Sequence, residues 1–256
     1  KDGKFVEATW DEAYDLIASK FKSYKPDEFA ALASARVSNE ENYLLMKFAR
    51  GVMKSRHIDH CARLCHASTV AGLAASFGSG AMTNSILDIA ESKCVFVIGS
   101  NTFEQHPLIG RKVMQAKLNG GKLIVFDPRL TPTAKQADLY ASFYSGTDVA
   151  ILNCLMGEVI RNGWEDKEWV STRAKGYEEL KKVVLSDTYL PENVEKISGI
   201  AAADLKTAAE WIGTSESSAL LYSMGITQHT VGVDNVKSTA NLQMLTGNIG
   251  KRGGGV

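Results

Sequence analysis

Hydrophobic positions in this chain repeat with two periods, one helical and one of unbroken short runs. Ala13, Leu16, Ile17 and Phe21 share one helical face, and Thr9-Trp-Asp-Glu12 before them forms a capping box in which Thr9 accepts a backbone N–H and Glu12 reaches back. A first amphipathic helix is predicted over about residues 10–22. Pro26 and Asp27 end it, residues 28–34 read as a short buried strand, and a second helix carries Tyr43, Leu44, Met46 and Phe48 from Asn39 toward Met53.

The middle of the chain is the most regular. Residues 94–98 and 122–126 are apolar runs closed by Gly99 and Asp127, and His106 to Leu118 between them is helical with Pro107 in its first turn. The alternation continues with a strand at 139–143, a helix at 148–160 and helices near 166–173, 177–184 and 202–212. A strand at 219–223 and a helix at 234–245 follow. Apolar strands alternating with helices predict an α/β fold whose mostly parallel sheet is buried on both faces.

Composition narrows the function classes. The 256 residues carry 29 Lys+Arg against 29 Asp+Glu, so no basic excess exists to attract nucleic acid or an anionic membrane surface. No apolar run reaches the roughly 18 residues of a membrane helix, which argues against direct membrane insertion. Residues 1–10 have neither a signal peptide's apolar core nor an initiator Met, and the chain is expected to be an internal fragment. Four cysteines do not make a disulfide scaffold; Cys94 and Cys154 lie in apolar runs and read as small buried hydrophobes.

In an open parallel sheet, ligands sit beyond the carboxyl ends of the strands. Four loops qualify. Gly99-Ser-Asn101-Thr-Phe-Glu104-Gln-His106 is a small-residue turn opening a helix, suited to phosphate but lacking the GxGxxG of an ordinary nicotinamide site. Asp127-Pro-Arg129 places a carboxylate where ribose hydroxyls bind and a guanidinium that can meet phosphate. Ser145-Gly146-Thr147-Asp148 precedes a helix, with Asp148 either a capping acid or a base-binding one. Ser223-Met224-Gly225-Ile-Thr-Gln228 again ends a strand in small and polar residues. Together they point to a large nucleotide-bearing cofactor.

The densest reactive cluster is His57-Ile-Asp-His60-Cys61-Ala-Arg63-Leu-Cys65-His66. A zinc site could draw on Cys61, Cys65 and a histidine, but the repeated CxxC pairs of structural zinc motifs are missing, and haem attachment needs CxxCH where CxxxCH stands. Cys65, before small residues that begin a helix, is placed for thiolate stabilisation by the dipole and by Arg63 or His66. A soft thiolate suits a soft or high-valent metal.

These residues carry a resemblance. The run His60 to His66, with Val70-Ala-Gly-Leu73 and Gly78-Ser-Gly-Ala-Met-Thr-Asn84, resembles the active-site segment of formate dehydrogenase catalytic (alpha) subunits in the molybdopterin oxidoreductase superfamily, where a selenocysteine or cysteine coordinates molybdenum or tungsten. Ser34 to Tyr43, Val97 to Asn101, Phe126 to Arg129, Gly146 to Asp148, Met224 to Gln228 and Met244 to Gly250 are similar in register. The resemblance implies a Rossmann-like doubly wound domain over residues 61–256 that binds molybdopterin guanine dinucleotide, preceded by part of a neighbouring α/β domain at 1–60.

It also implies roles. Cys65 would ligate Mo or W and His66 assist proton movement; Asn101, Glu104 and His106 would lie by the phosphates and ribose of one of two molybdopterin guanine dinucleotides. Gly99 belongs to the same loop, Asp127 and Arg129 would take the ribose and guanosine end, Gly146, Thr147 and Asp148 the guanine, and Met224, Gly225 and Gln228 the pterin. The parent would oxidise formate, hold a 4Fe-4S cluster and pass electrons to an iron-sulfur or flavin subunit, with cytoplasmic placement expected. The rivals are a nitrate reductase-like relative, against which His66 beside Cys65 argues, a relic electron-transfer subunit without the metal, and a zinc-binding module. Departures from the family pattern are the missing four-cysteine cluster motif and the missing Arg-Gly-Gln-Asn-Asn stretch whose arginine is thought to hold formate. The chain alone is therefore expected to lack a complete active site.

Overall fold

The computed structural model describes residues 3–256, and the chain divides into two compact units, Lys1–Leu64 and Cys65–Val256. In the first, α1 (Trp10–Ser23) starts at the expected capping box: Thr9 Oγ1 accepts from the Glu12 N–H at 3.2 Å and Glu12 accepts from the Thr9 N–H at 2.8 Å. Pro26–Glu28 forms a 3-10 turn, so the strand expected from residue 28 is shortened to β1 (Ala30–Ala33). A second capping box, Ser38 with Glu41, opens α2 (Asn39–Lys47), which continues as a π-turn over Phe48–Val52 rather than as α-helix to Met53. β2 (His57–His60) pairs with β1 in parallel, Ala30 beside His57. The polar sequence His-Ile-Asp-His gave no strand signal; pairing with β1 supplies what alternation did not.

A small core of Phe29, Ala31, Ala49 and Met53 holds this unit together. The rings of Phe21, Phe29 and Phe48 pack around it, with Phe21 and Phe29 edge to face at 5.1 Å. Leu16 and Ile17 of α1 remain exposed. The boundary between the units falls within the single turn α3 (Ala62–Cys65).

The second unit begins with α4 (Ala67–Phe77), closed by Gly78 in the left-handed conformation at φ +80°. Its sheet strands are β3 (Cys94–Ile98), β4 (Lys122–Phe126), β5 (Leu139–Ala141) and β6 (Ser218–Tyr222), all parallel in the order β5-β4-β3-β6. Between β3 and β4 lie α5 (Thr102–Gln105) and α6 (Pro107–Leu118). Between β5 and β6 lie α7 (Asp148–Arg161), α8 (Lys167–Arg173), α9 (Tyr177–Val184), α10 (Pro191–Ser198) and α11 (Ala202–Thr214). After β6 come the short α12 (Met224–Thr227) and α13 (Gly232–Leu245). α10 has no counterpart in the periodicity reading; it is short and begins at Pro191, a residue that pre-sets the first helical turn.

The doubly wound, mostly parallel α/β sheet is therefore the observed architecture. Strand alternation sorts the core into two layers. Val95, Val97, Leu123 and Val125 face Val113 and Ala116 of α6 on one side. Phe96, Ile98, Ile124 and Phe126 face Ile151, Leu152 and Leu155 of α7 and Ala208 of α11 on the other, with Phe96 and Phe126 edge to face at 5.2 Å. Cys94 and Cys154 are buried in this second layer, and desolvation pushes both thiols up to about 12. The strand expected to reach residue 143 ends at Ala141, because the chain then leaves the sheet and Tyr144 N–H donates to Ser198 O at 2.8 Å.

α4 packs on α13 at Gly72, where a Cβ would stand 2.6 Å from Val236 Cγ1. Gly72→Ala is expected to cost about 1–3 kcal/mol by overpacking and to lower the thermal unfolding midpoint, with much of the loss recovered in the Gly72→Ala/Val236→Ala double variant. A Gly72→Ala protein that melts like the parent would show that this crossing is not tight.

Candidate functional site at the switch point of the sheet

In the order β5-β4-β3-β6 the chain runs outward from β3 through β4 to β5, then returns to the other side of β3 as β6. The loops leaving β3 and β6 diverge to opposite faces, and a crevice opens beyond their carboxyl ends. Its floor is a backbone contact between two glycines. Gly99, at φ +58°, accepts the Gly225 N–H at 3.1 Å, while its own N–H donates to Phe126 O at 3.0 Å. A Cβ on Gly225 would lie 2.6 Å from both Gly99 Cα and Gly99 O, so neither loop tolerates a side chain there.

A cleft of about 420 Å³ occupies this position, lined by Gly99, Ser100, Asn101, Gln105, Asp127, Pro128, Arg129, Phe143, Ser145, Asp148, Ser223, Met224, Gly225 and His229. Of the residues proposed from sequence, Gly99, Asn101, Asp127, Arg129, Asp148, Met224 and Gly225 line it. Glu104, His106, Gly146, Thr147, Gln228, Cys65 and His66 do not. Gln105, Ser145, Ser223 and His229 were not singled out, although each lies within or beside a strand-end loop that the switch-point rule selects.

Several absent residues act on those present. Glu104 accepts a hydrogen bond from the Asn101 amide, and Thr133 Oγ1 donates to Asn101 Oδ1 at 3.5 Å while accepting from the Phe103 N–H at 3.0 Å. Glu104 thus orients the Asn101 amide. Asp127 is buried and its Oδ1 accepts from the Arg129 N–H at 2.8 Å, a local turn that sends the Arg129 side chain into the cleft. Gly146, at φ +89°, and Thr147, whose hydroxyl donates to Tyr144 O at 2.7 Å, form the turn that delivers Asp148.

Asp148 is the most unusual group. It is the first residue of α7 and 1% exposed, and neither carboxylate oxygen has a hydrogen-bond partner. Burial pushes its carboxyl above the ordinary aspartate range, opposed by its own backbone N–H, His229 and the Gly146 N–H, none of which is placed to make a hydrogen bond to it. A buried acceptor pair left open is costly in isolation. Two free carboxylate oxygens can accept from a molecule that carries N–H donors.

The Cys65 segment is tied to the β6 side of this crevice. Thr227 Oγ1 donates to the Cys65 carbonyl, and Ser68 Oγ donates to Thr227 O at 3.0 Å. Gly232 keeps this junction open, since a Cβ there would lie 2.2 Å from Thr227 O. Cys65 is half-buried, and His66 caps α4 with its imidazole pK lowered by burial and then by the field of His106. Arg63, expected beside the thiol, is instead paired with Asp59. Among the described residues no group of three or more His, Cys, Asp and Glu side chains is placed to hold a metal, so a self-contained zinc site has no donor set. Any metal at Cys65 would need its other ligands from outside this donor set.

Comparison with known proteins agrees with this architecture. The sequence profile described as molybdopterin oxidoreductase matches residues 1–256. The chain is 54% identical over 256 residues to F420-dependent formate dehydrogenase 1 subunit alpha of Methanococcus maripaludis, covering all of this chain and 38% of that protein. It is 40% identical over 261 residues to formate dehydrogenase H of Escherichia coli, again along its whole length and 36% of the relative's. Among solved structures, acetylene hydratase from Pelobacter acetylenicus superposes with a TM-score of 0.74 at 25% identity, over 96% of this chain and 33% of that one. The chain thus spans between about a third and two fifths of these relatives' lengths.

Gly225→Ala is expected to part the two loops. Its thermal midpoint should fall, by an overpacking cost of about 1–3 kcal/mol, and the protein purified with it should carry less nucleotide than the parent. Unchanged stability and unchanged nucleotide content together would show that the glycine contact does not shape the cleft.

Proposed function

Because this chain is a member of the molybdopterin oxidoreductase family, we propose that it forms part of a formate dehydrogenase alpha subunit that oxidises formate to CO2, two electrons and a proton. The observation that carries the reading is Cys65 with His66 beside it, at the start of α4 and hydrogen-bonded through Thr227 to the loop that floors a nucleotide-sized cleft. The relatives named above are formate dehydrogenase subunits, which supports the same substrate.

In this reading the cleft holds one of two molybdopterin guanine dinucleotides. Asp148 accepts the N–H groups of guanine, Asp127 takes ribose hydroxyls, Arg129 meets phosphate, and the Gly99 and Gly225 loops let the backbone approach closely. Met224 and Gln228 lie toward the pterin, and Cys65 supplies the thiolate. When bound, the molybdenum or tungsten centre supplies a two-electron acceptor. His66, next to Cys65 in the chain, would take up the proton released as the formate C–H bond breaks. A partner subunit bearing an iron-sulfur or flavin group would accept the electrons. No helix among the described residues is long and apolar enough to cross a membrane.

The decisive comparison uses the full-length subunit. Cys65→Ser is expected to lose bound metal and to reduce formate oxidation by at least about a hundredfold, whereas His66→Ala keeps its metal and loses about 10²- to 10⁴-fold in rate. Full formate oxidation by Cys65→Ser would refute the ligand assignment. Nitrate reduction without formate oxidation in the parent protein would replace the substrate.

A further inference from the structure

One ionisable side chain of the cleft has no part in the function just described. His229 follows α12, and its Nε2 lies 2.9 Å from the Gly225 carbonyl oxygen and 3.8 Å from Asp148 Oδ2. The first is a hydrogen-bond length and the second is not. Nε2–H therefore donates to Gly225, and Asp148 keeps both oxygens buried and unpartnered beside an imidazole that could have satisfied one of them. A single donor faces two acceptors, and the carbonyl has it.

This arrangement has two effects on a ligand. The bond to Gly225 braces the turn that rests on Gly99, which fixes the cleft floor. It also withholds the His229 proton from Asp148, so the carboxylate meets the ligand with its acceptors free. Guanine offers adjacent donors, a ring N–H and an exocyclic amine, on one edge; adenine presents one donor beside a ring acceptor, which a carboxylate repels.

Building on the guanine reading of this cleft, we propose that His229 is a positioning residue for the nucleotide end of the cofactor. By donating to Gly225 it holds the Met224–Thr227 turn in place and leaves both Asp148 oxygens open for the base. The role needs a donor at Nε2, and a side chain of similar reach with an N–H should perform it.

The test reads guanosine monophosphate set free by acid hydrolysis of the full-length subunit purified with its cofactor, before and after prolonged dialysis. His229→Ala is expected to lose one of its guanine equivalents about tenfold faster than the parent, and His229→Gln, whose amide can donate to Gly225, to restore retention. Retention by His229→Ala equal to the parent's overturns the proposal, as does a His229→Gln protein that fails as completely as His229→Ala. Asp148→Ala separates this outcome from the underlying reading. If it loses guanine while His229→Ala does not, only the role of His229 falls; if it retains guanine like the parent, the guanine reading falls with it.

Discussion

The backbone contact between Gly99 and Gly225 is the constraint on which the site depends. Two parallel strands that are neighbours in space, but far apart in sequence, end side by side, and their following loops must part toward opposite faces of the sheet. The crevice opens only if the loops can meet at its floor without side chains between them. With a Cβ separation of 2.6 Å at Gly225, glycine is the residue that allows it. The flanks are then set by where neighbouring strands stop: Asp127 at the end of β4, Asp148 past β5, and Ser223 past β6.

The fold tolerates local cost at this place. Asp148 is desolvated without a hydrogen-bond partner, the kind of burial that interiors normally avoid. The surrounding layers are conventional: aliphatic and aromatic side chains from alternate strand positions meet helices on both faces, and Lys122 at the exposed start of β4 is the one charged residue of β3 and β4. The two buried layers of the sheet hold the strand ends that flank the cleft. The junction of Thr227 with Cys65 and Ser68 ties the Cys65 backbone to the loop after β6 through carbonyl and hydroxyl groups.

Much of this was legible from residues alone where the signal is local. The capping box at Thr9, apolar runs at β3 and β4, and the glycine and aspartate that close them follow from side-chain chemistry acting over a few positions. The cleft loops were legible for the same reason, because a switch-point rule converts strand ends into ligand positions. β2 was not, since His-Ile-Asp-His has no alternating pattern and owes its extension to β1. Nor was α10, which the reading passed over although it is as long as α9. His229 escaped because a histidine beside a glutamine in a loop has no pattern; its meaning lies in distances to Gly225 and Asp148, residues that only the folded chain brings near it.

By itself, the sequence determined the element types, the parallel α/β class and the kinds of residue gathered at strand ends, because these depend on hydrophobic period and on short-range backbone preference. Only the tertiary structure decided which of those residues share a cleft. It separated Glu104 and His106 from the cleft lining, turned Glu104 into the partner of Asn101, drew Arg63 to Asp59, and left the Asp148 carboxylate open. The physical reason is that a hydrogen bond is awarded to whichever donor and acceptor the packed backbone brings within about 3 Å, and that competition is settled by long-range strand order rather than by neighbours along the chain.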